Sequence, residues 1–186
     1  MTTNQKLWGK VILSSYNYLK RLCDSIDCLI ENTAVNSYYN FNNLNGNSIE
    51  NIAKNIISYS NRKIDYINLK IITEKALKTL PKQYAKILIL KFIQKIHIEE
   101  LCNLLHISKR ACYRKLDTAI KLFISSLNCL GYTIEKLELD YSSDPFIKSV
   151  LKLIEKNNYL MQEKADVISN DSVFNNYISS LLASLV

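Results

Sequence analysis

The sequence predicts an all-α fold: a helical bundle with a helix-turn-helix unit in its middle and further helices at both ends. Three observations carry this expectation. The 186 residues include only three Gly and two Pro, too few for a turn-rich β-sandwich or a Gly-rich phosphate loop. Hydrophobic residues make up 48%, enough for a core and too many for wholesale disorder. Along most of the chain the apolar residues recur at steps of three and four, the period of a helix.

The elements follow in order. Residues 5–31 form the first expected helix, with Leu7, Val11, Tyr18, Leu22, Ile26 and Leu29 on one face. Residues 40–47, rich in Asn and holding Gly46, read as a loop. Ser48 caps a second helix whose inner face carries Ile49, Ile52, Ala53, Ile56 and Ile57. A third runs from Ile64 toward Leu80, and Pro81 breaks and restarts it. Residues 82–94 continue as a helix with Ala85, Leu88, Ile89 and Phe92 inward, and Lys95-Ile96-His97 connects to a short helix at 98–105. After His106-Ile107-Ser108, a long helix spans 109–130 and stops at Gly131. Residues 133–141 are ambiguous between strand and loop. Ser143 and Asp144 cap the next helix, with Pro145 in its first turn and Phe146, Val150, Leu153 and Ile154 on its apolar face. A final amphipathic helix follows Asp171, with Val173, Phe174, Tyr177, Leu181 and Leu182. Three domains are expected: an N-terminal helical region, 1–75; a central helix-turn-helix domain, 76–131; and a C-terminal helical region, 132–186.

Charge separates these regions. The formal net charge is +7. Residues 1–75 hold 9 Lys/Arg and 6 Asp/Glu, residues 76–131 hold 10 and 3, and residues 132–186 hold 5 and 8. The positive charge therefore gathers in the middle, which suggests an anionic partner there, and the tail has the opposite sign. No early apolar run exceeds Val11-Ile12-Leu13, and none approaches the ~20 residues that span a bilayer. A cytoplasmic protein with no membrane partner is expected. The five cysteines, Cys23, Cys28, Cys102, Cys112 and Cys129, fall on apolar helical positions and are expected to be reduced core residues. With two His and no Cys-x-x-Cys pair, neither a metal site nor a cofactor is expected. No nucleophile–base set or phosphate loop stands out, so no enzyme is expected and no catalytic residue is assigned.

The central motif has the parts a helix-turn-helix requires. Leu101, Cys102 and Leu105 give the first helix an apolar face, Ile107 anchors the turn, and Ser108 caps the second helix. The second helix buries Cys112, Leu116, Ala119, Ile120 and Phe123. That phase turns Lys109, Arg110, Tyr113, Arg114 and Asp117 outward. Helix-turn-helix proteins lay the start of this helix in the major groove of double-stranded DNA. There Arg and Lys donate to guanine, and Tyr packs on a thymine methyl or bonds phosphate. Lys115, Thr118 and Lys121 lie at the flanks, suited to phosphates. Asp117 would repel phosphate, so it either accepts from cytosine N4 or pairs with Arg114 or Lys121.

Here the chain resembles a known family. Ala76-Leu77-Lys78-Thr79-Leu80-Pro81, followed by Ile87-Leu88-Ile89-Leu90-Lys91-Phe92, is similar to the opening of region four of bacterial sigma factors. Ile98-Glu99-Glu100-Leu101 resembles that family's helix bearing Glu-Glu-Ile-Ala, and Ile107-Ser108 with Leu116 and Ala119 resembles its recognition helix. The resemblance covers about 55 residues. It implies a fold that reads promoter DNA and touches RNA polymerase, with Lys109, Arg110, Tyr113 and Arg114 as base readers. Cys102 stands where the family has Ala, and His106 where it has Gly; His tolerates the left-handed conformation better than most residues. No sigma region two is found. Ile107-Ser108-Lys109-Arg110-Ala111-Cys112-Tyr113-Arg114 also resembles phage-encoded regulators of late transcription, which share the module without being full sigma factors. The alternative is an interaction module that binds polymerase or another regulatory protein without specific DNA contact. The acidic tail has three open roles: completing the core, dimerising, or folding over the recognition helix.

Overall fold

A computed structural model describes residues 3–39, 46–160, 174–177 and 179. The fold is all-α, with no strand among the described residues. Its elements are α1 (Thr3–Tyr39), α2 (Gly46–Thr79), α3 (Lys82–Leu88), a π-helical turn (Ile89–Ile93), α4 (Ile98–Leu104), α5 (Lys109–Cys129), α6 (Ile134–Tyr141) and α7 (Pro145–Leu160). No described helix is long and apolar enough to cross a membrane.

α1 is the spine. Its 37 residues rise about 55 Å at 1.5 Å per residue, and it touches α2, α5, α6, α7 and the π turn. Of the face expected from the three-and-four spacing, Val11, Tyr18, Leu22, Ile26 and Leu29 are buried and Leu7 is half-buried, and Trp8, Ile12 and Leu19 are buried beside them. Gly9 makes one of these contacts possible. A Cβ there would sit 2.9 Å from Ile124 Cδ1, so its absence lets α1 lie close against α5.

One hydrophobic core draws on the N-terminal, central and C-terminal stretches, from Trp8 through Leu88 and Phe123 to Val150 and Tyr177. The expected boundary at 75/76 falls inside α2, which continues unbroken to Thr79. Within the core is an aromatic cluster. Tyr18 stacks on Phe174 at 5.3 Å, Phe146 meets Tyr177 at 5.8 Å, and Arg21 caps Phe174 at 4.1 Å. Asp144 ties the tail in place. Its Oδ1 accepts from the Ile147 amide at 3.0 Å and so caps α7. Its Oδ2 accepts from Tyr66 at 2.7 Å and lies 3.6 Å from Arg62 Nε. Burial first, then the Asp144 charge, pushes the Tyr66 phenol far above its ordinary value.

Several expectations are corrected. The second and third helices are one, α2, because no Gly or Pro interrupts residues 47–79. It starts at Gly46, so Ser48 lies inside the first turn instead of capping it. The face of Ile49 and Ile57 is not an inner one; both stand about half exposed, because the bundle packs on the other side of α2. Residues 134–141 are helical. Thr133 Oγ1 accepts from the Lys136 amide at 3.3 Å, and Ile134, Leu137 and Tyr141 turn inward. α1 runs eight residues past the expected end at 31. Cys28 and Cys129 are exposed, while Cys102 and Cys112 are buried. Phe174 and Tyr177 are buried as expected. Val173, Leu181 and Leu182 lie outside the described residues, as do residues 40–45 of the expected loop.

Candidate nucleic-acid interface

The unit formed by α4, the turn after it and α5 has a small core of its own. Leu101 and Cys102 of α4 meet Cys112 of α5, with Leu90, Ile96, Ile98, Leu105 and Ile107 packed around them. Leu105 also packs on the main core, so the unit is seated on the bundle. Burial, and after it a hydrogen bond with Cys102, pushes the Cys112 thiol up to about 11. Buried in this small core, the Cys112 thiol behaves as a small apolar group.

The turn is built by backbone bonds. His106 has φ +50°, the left-handed conformation in which helices commonly end. Its amide donates to Asn103 O at 3.2 Å, and the Ile107 amide donates to Cys102 O at 3.1 Å. These two bonds form a Schellman motif, and they drop Ile107 onto the small core. His106 thus occupies the place glycine usually fills, as the sequence suggested. α5 begins at Ser108, whose Oγ accepts from the Ala111 amide at 3.3 Å. It ends in a second Schellman motif, with Gly131 at φ +83° and Tyr132 N donating to Leu127 O at 3.0 Å.

These caps set the rotation of α5. Cys112, Ala119, Ile120, Phe123, Ile124 and Leu127 are buried. Arg110, Tyr113, Arg114 and Lys115 stand exposed on the other side of the first two turns. Among the described residues Arg110, Arg114 and Lys115 enter no ion pair, so their charge is available to an anion. Lys109 reaches across to the first turn of α4, with Nζ 3.2 Å from Glu99 Oε1. This hydrogen bond raises the Lys109 pKa. Both groups are well exposed, so the pair exchanges easily with solvent or another anion. Thr118 Oγ1 donates back to Arg114 O at 3.0 Å, which leaves the hydroxyl at the margin of the stripe.

Asp117 belongs to a cluster. It accepts from Lys121 at 2.8 Å, one turn on, and from Lys6 of α1 at 2.6 Å. Hydrogen bonds from Lys121 and then Lys6 hold its carboxyl below the ordinary value. Lys10 stands nearby on α1. Burial and the neighbouring Lys6 charge lower its pKa. Of the two pairings expected for Asp117, Lys121 is found and Arg114 is not. Lys6 and Lys10 were missed by sequence reasoning. The only signal was a pair of lysines four apart that flanks Gly9. His97 precedes α4 with extended backbone and is exposed. Among the described residues no group of His, Cys, Asp or Glu is placed to hold a metal ion.

The surface therefore consists of a capped helix with an exposed cationic start, a neutralised middle, and a second helix supplying two lysines beside it. No protein-family model, curated protein or solved structure matches this chain.

Proposed function

We propose that this chain is a sequence-specific, double-stranded-DNA-binding transcription regulator of sigma-like type, reading promoter DNA with the first two turns of α5. The observation that carries the reading is the exposed stripe Arg110, Tyr113 and Arg114, with Lys115 exposed at its flank, set at the start of a helix whose opposite face is anchored. An unpaired cationic stripe on a rigid helix fits the major groove, where a good bidentate contact is worth roughly 1–3 kcal/mol of base discrimination. Lys109, freed from Glu99, joins the readers. Ser108, Thr118 and Lys121 lie where phosphates would pass. The resemblance to sigma region four and the concentration of charge in 76–131 support the same reading.

Selection of duplexes from a random pool, followed by anisotropy titration, tests it. The selected site should bind with a steep loss on raising salt, about 0.9 log units per phosphate contact per log unit of salt. The double variant R110A/R114A should keep its helical signal and lose preference for the selected site. No retention of any duplex at low salt would overturn the reading.

Contact with RNA polymerase is the second part of the proposal. Leu104 is half exposed on α4, and a shallow groove lined by Leu80, Pro81, Leu122 and Leu130 lies beside the unit. Apolar surface next to a DNA-reading helix suits a protein partner. Co-purification of polymerase with the tagged chain, lost in Leu104→Lys, tests this part separately.

A further inference from the structure

We infer that the outer face of α2 is a contact surface for a second copy of this chain, the two α2 helices packing antiparallel about a twofold axis at Ile64. Five of the exposed large hydrophobic residues lie on this one helix: Ile49, Ile57, Ile64, Ile67 and Ile71, each 40–59% exposed. Ala53, Ile57, Ser60, Ile64, Ile67 and Ile71 follow one another at steps of four and three. That is the seam period of two helices packed knobs into holes, so a helix is the partner the face fits. The opposite side of α2, with Tyr66, Leu69, Thr73 and Ala76, is already buried in the bundle.

Three features select a second copy, in antiparallel orientation. Ile57 and Ile71 are each seven residues from Ile64, so a twofold axis there sets Ile57 against Ile71 of the other copy and Ile64 against itself. Charge agrees with this. Glu50 lies fourteen residues before Ile64, and Lys75 and Lys78 lie eleven and fourteen after it. Both lysines are exposed. Antiparallel packing brings the acid to the lysines at each end, whereas parallel packing would set Glu50 on Glu50 and Lys75 on Lys75. Area is the third feature. Covering the isoleucines of both copies removes on the order of 900 Å² of apolar surface, and flanking Asn61, Asn68 and Lys75 carry the total to the ~1,200 Å² where stable interfaces begin. This inference does not rest on the DNA reading, because the stripe shares no residue with α5.

Sedimentation of the full chain across a concentration series tests it. The expected mass is twice 21.5 kDa. Ile64→Lys places two ammonium groups on the axis and should return the monomer with an unchanged helical signal. Glu50→Lys should weaken the dimer, and adding K75E/K78E should restore it, an outcome that mere misfolding cannot produce. Geometry is read by diamide cross-linking in a C28S/C129S background, which removes the exposed thiols. I64C should cross-link to itself. I57C mixed with I71C should cross-link, and I57C alone should not. A monomer at every concentration would overturn the inference. So would self-cross-linking of I57C, the mark of a parallel pair.

Discussion

Replacing Asp117 with Asn removes a carboxylate from the middle of α5 and releases two ammonium groups. Lys6 and Lys121 both donate to it, at 2.6 and 2.8 Å. Each pair is about a third to a half exposed, so each is worth only ~0.2–1 kcal/mol, and D117N should lower stability by at most about 1–2 kcal/mol. Its effect on DNA should be of similar size and opposite sign. Two freed cations can each meet a phosphate, which steepens the salt dependence by up to ~1.8 log units per log unit of salt. Between 50 and 200 mM salt that difference amounts to about tenfold in affinity. Anisotropy titrations of wild type and D117N on one duplex at several salt concentrations measure it directly. The expected result is tighter binding at low salt and a steeper slope for D117N. An unchanged slope, or weaker binding with loss of preference at a single base pair, would refute the reasoning and make Asp117 a reader of cytosine N4. A pH series supplies a check. Because the folded carboxyl is held below its ordinary value, its stabilisation is present above about pH 3.9 and is lost as pH falls through the depressed value. The stability gap between wild type and D117N should close there.

Further outcomes follow from the turn and the thiols. Ser108→Ala removes the bond to the Ala111 amide and should cost about 1 kcal/mol in urea denaturation. His106→Gly relieves the left-handed backbone at φ +50° and should raise the urea midpoint by an amount equivalent to ~0.5–1 kcal/mol, without altering DNA selectivity. Titration with a chromogenic disulfide should label Cys28 and Cys129 rapidly. Cys102 and Cys112 should react only on unfolding, since both are buried and the Cys112 thiol is pushed up to about 11.

Much of the central unit was legible because its signals are local. Ser108 and Gly131 bound α5 through bonds to backbone groups three to five residues away, and the apolar spacing between them sets its buried face. Residues 134–141 were not legible. Ile134, Leu137, Leu139 and Tyr141 fit either period until Leu139 is seen to be 80% exposed. α2 was misread as two helices because isoleucines lie on both of its sides. A sequence pattern marks apolar positions without saying which of them the fold will cover.

The sequence by itself determined the helices around the turn, the outward positions of Arg110, Tyr113 and Arg114, and the concentration of positive charge there. Those properties depend on residues within one or two turns of each other. Only the tertiary structure decided that Lys6 neutralises Asp117 across 111 residues of chain. It alone left Ile57, Ile64 and Ile71 bare on α2. Both outcomes depend on how closely whole helices pack. The missing Cβ of Gly9 lets α1 reach α5, and the bundle covers one side of α2 and not the other.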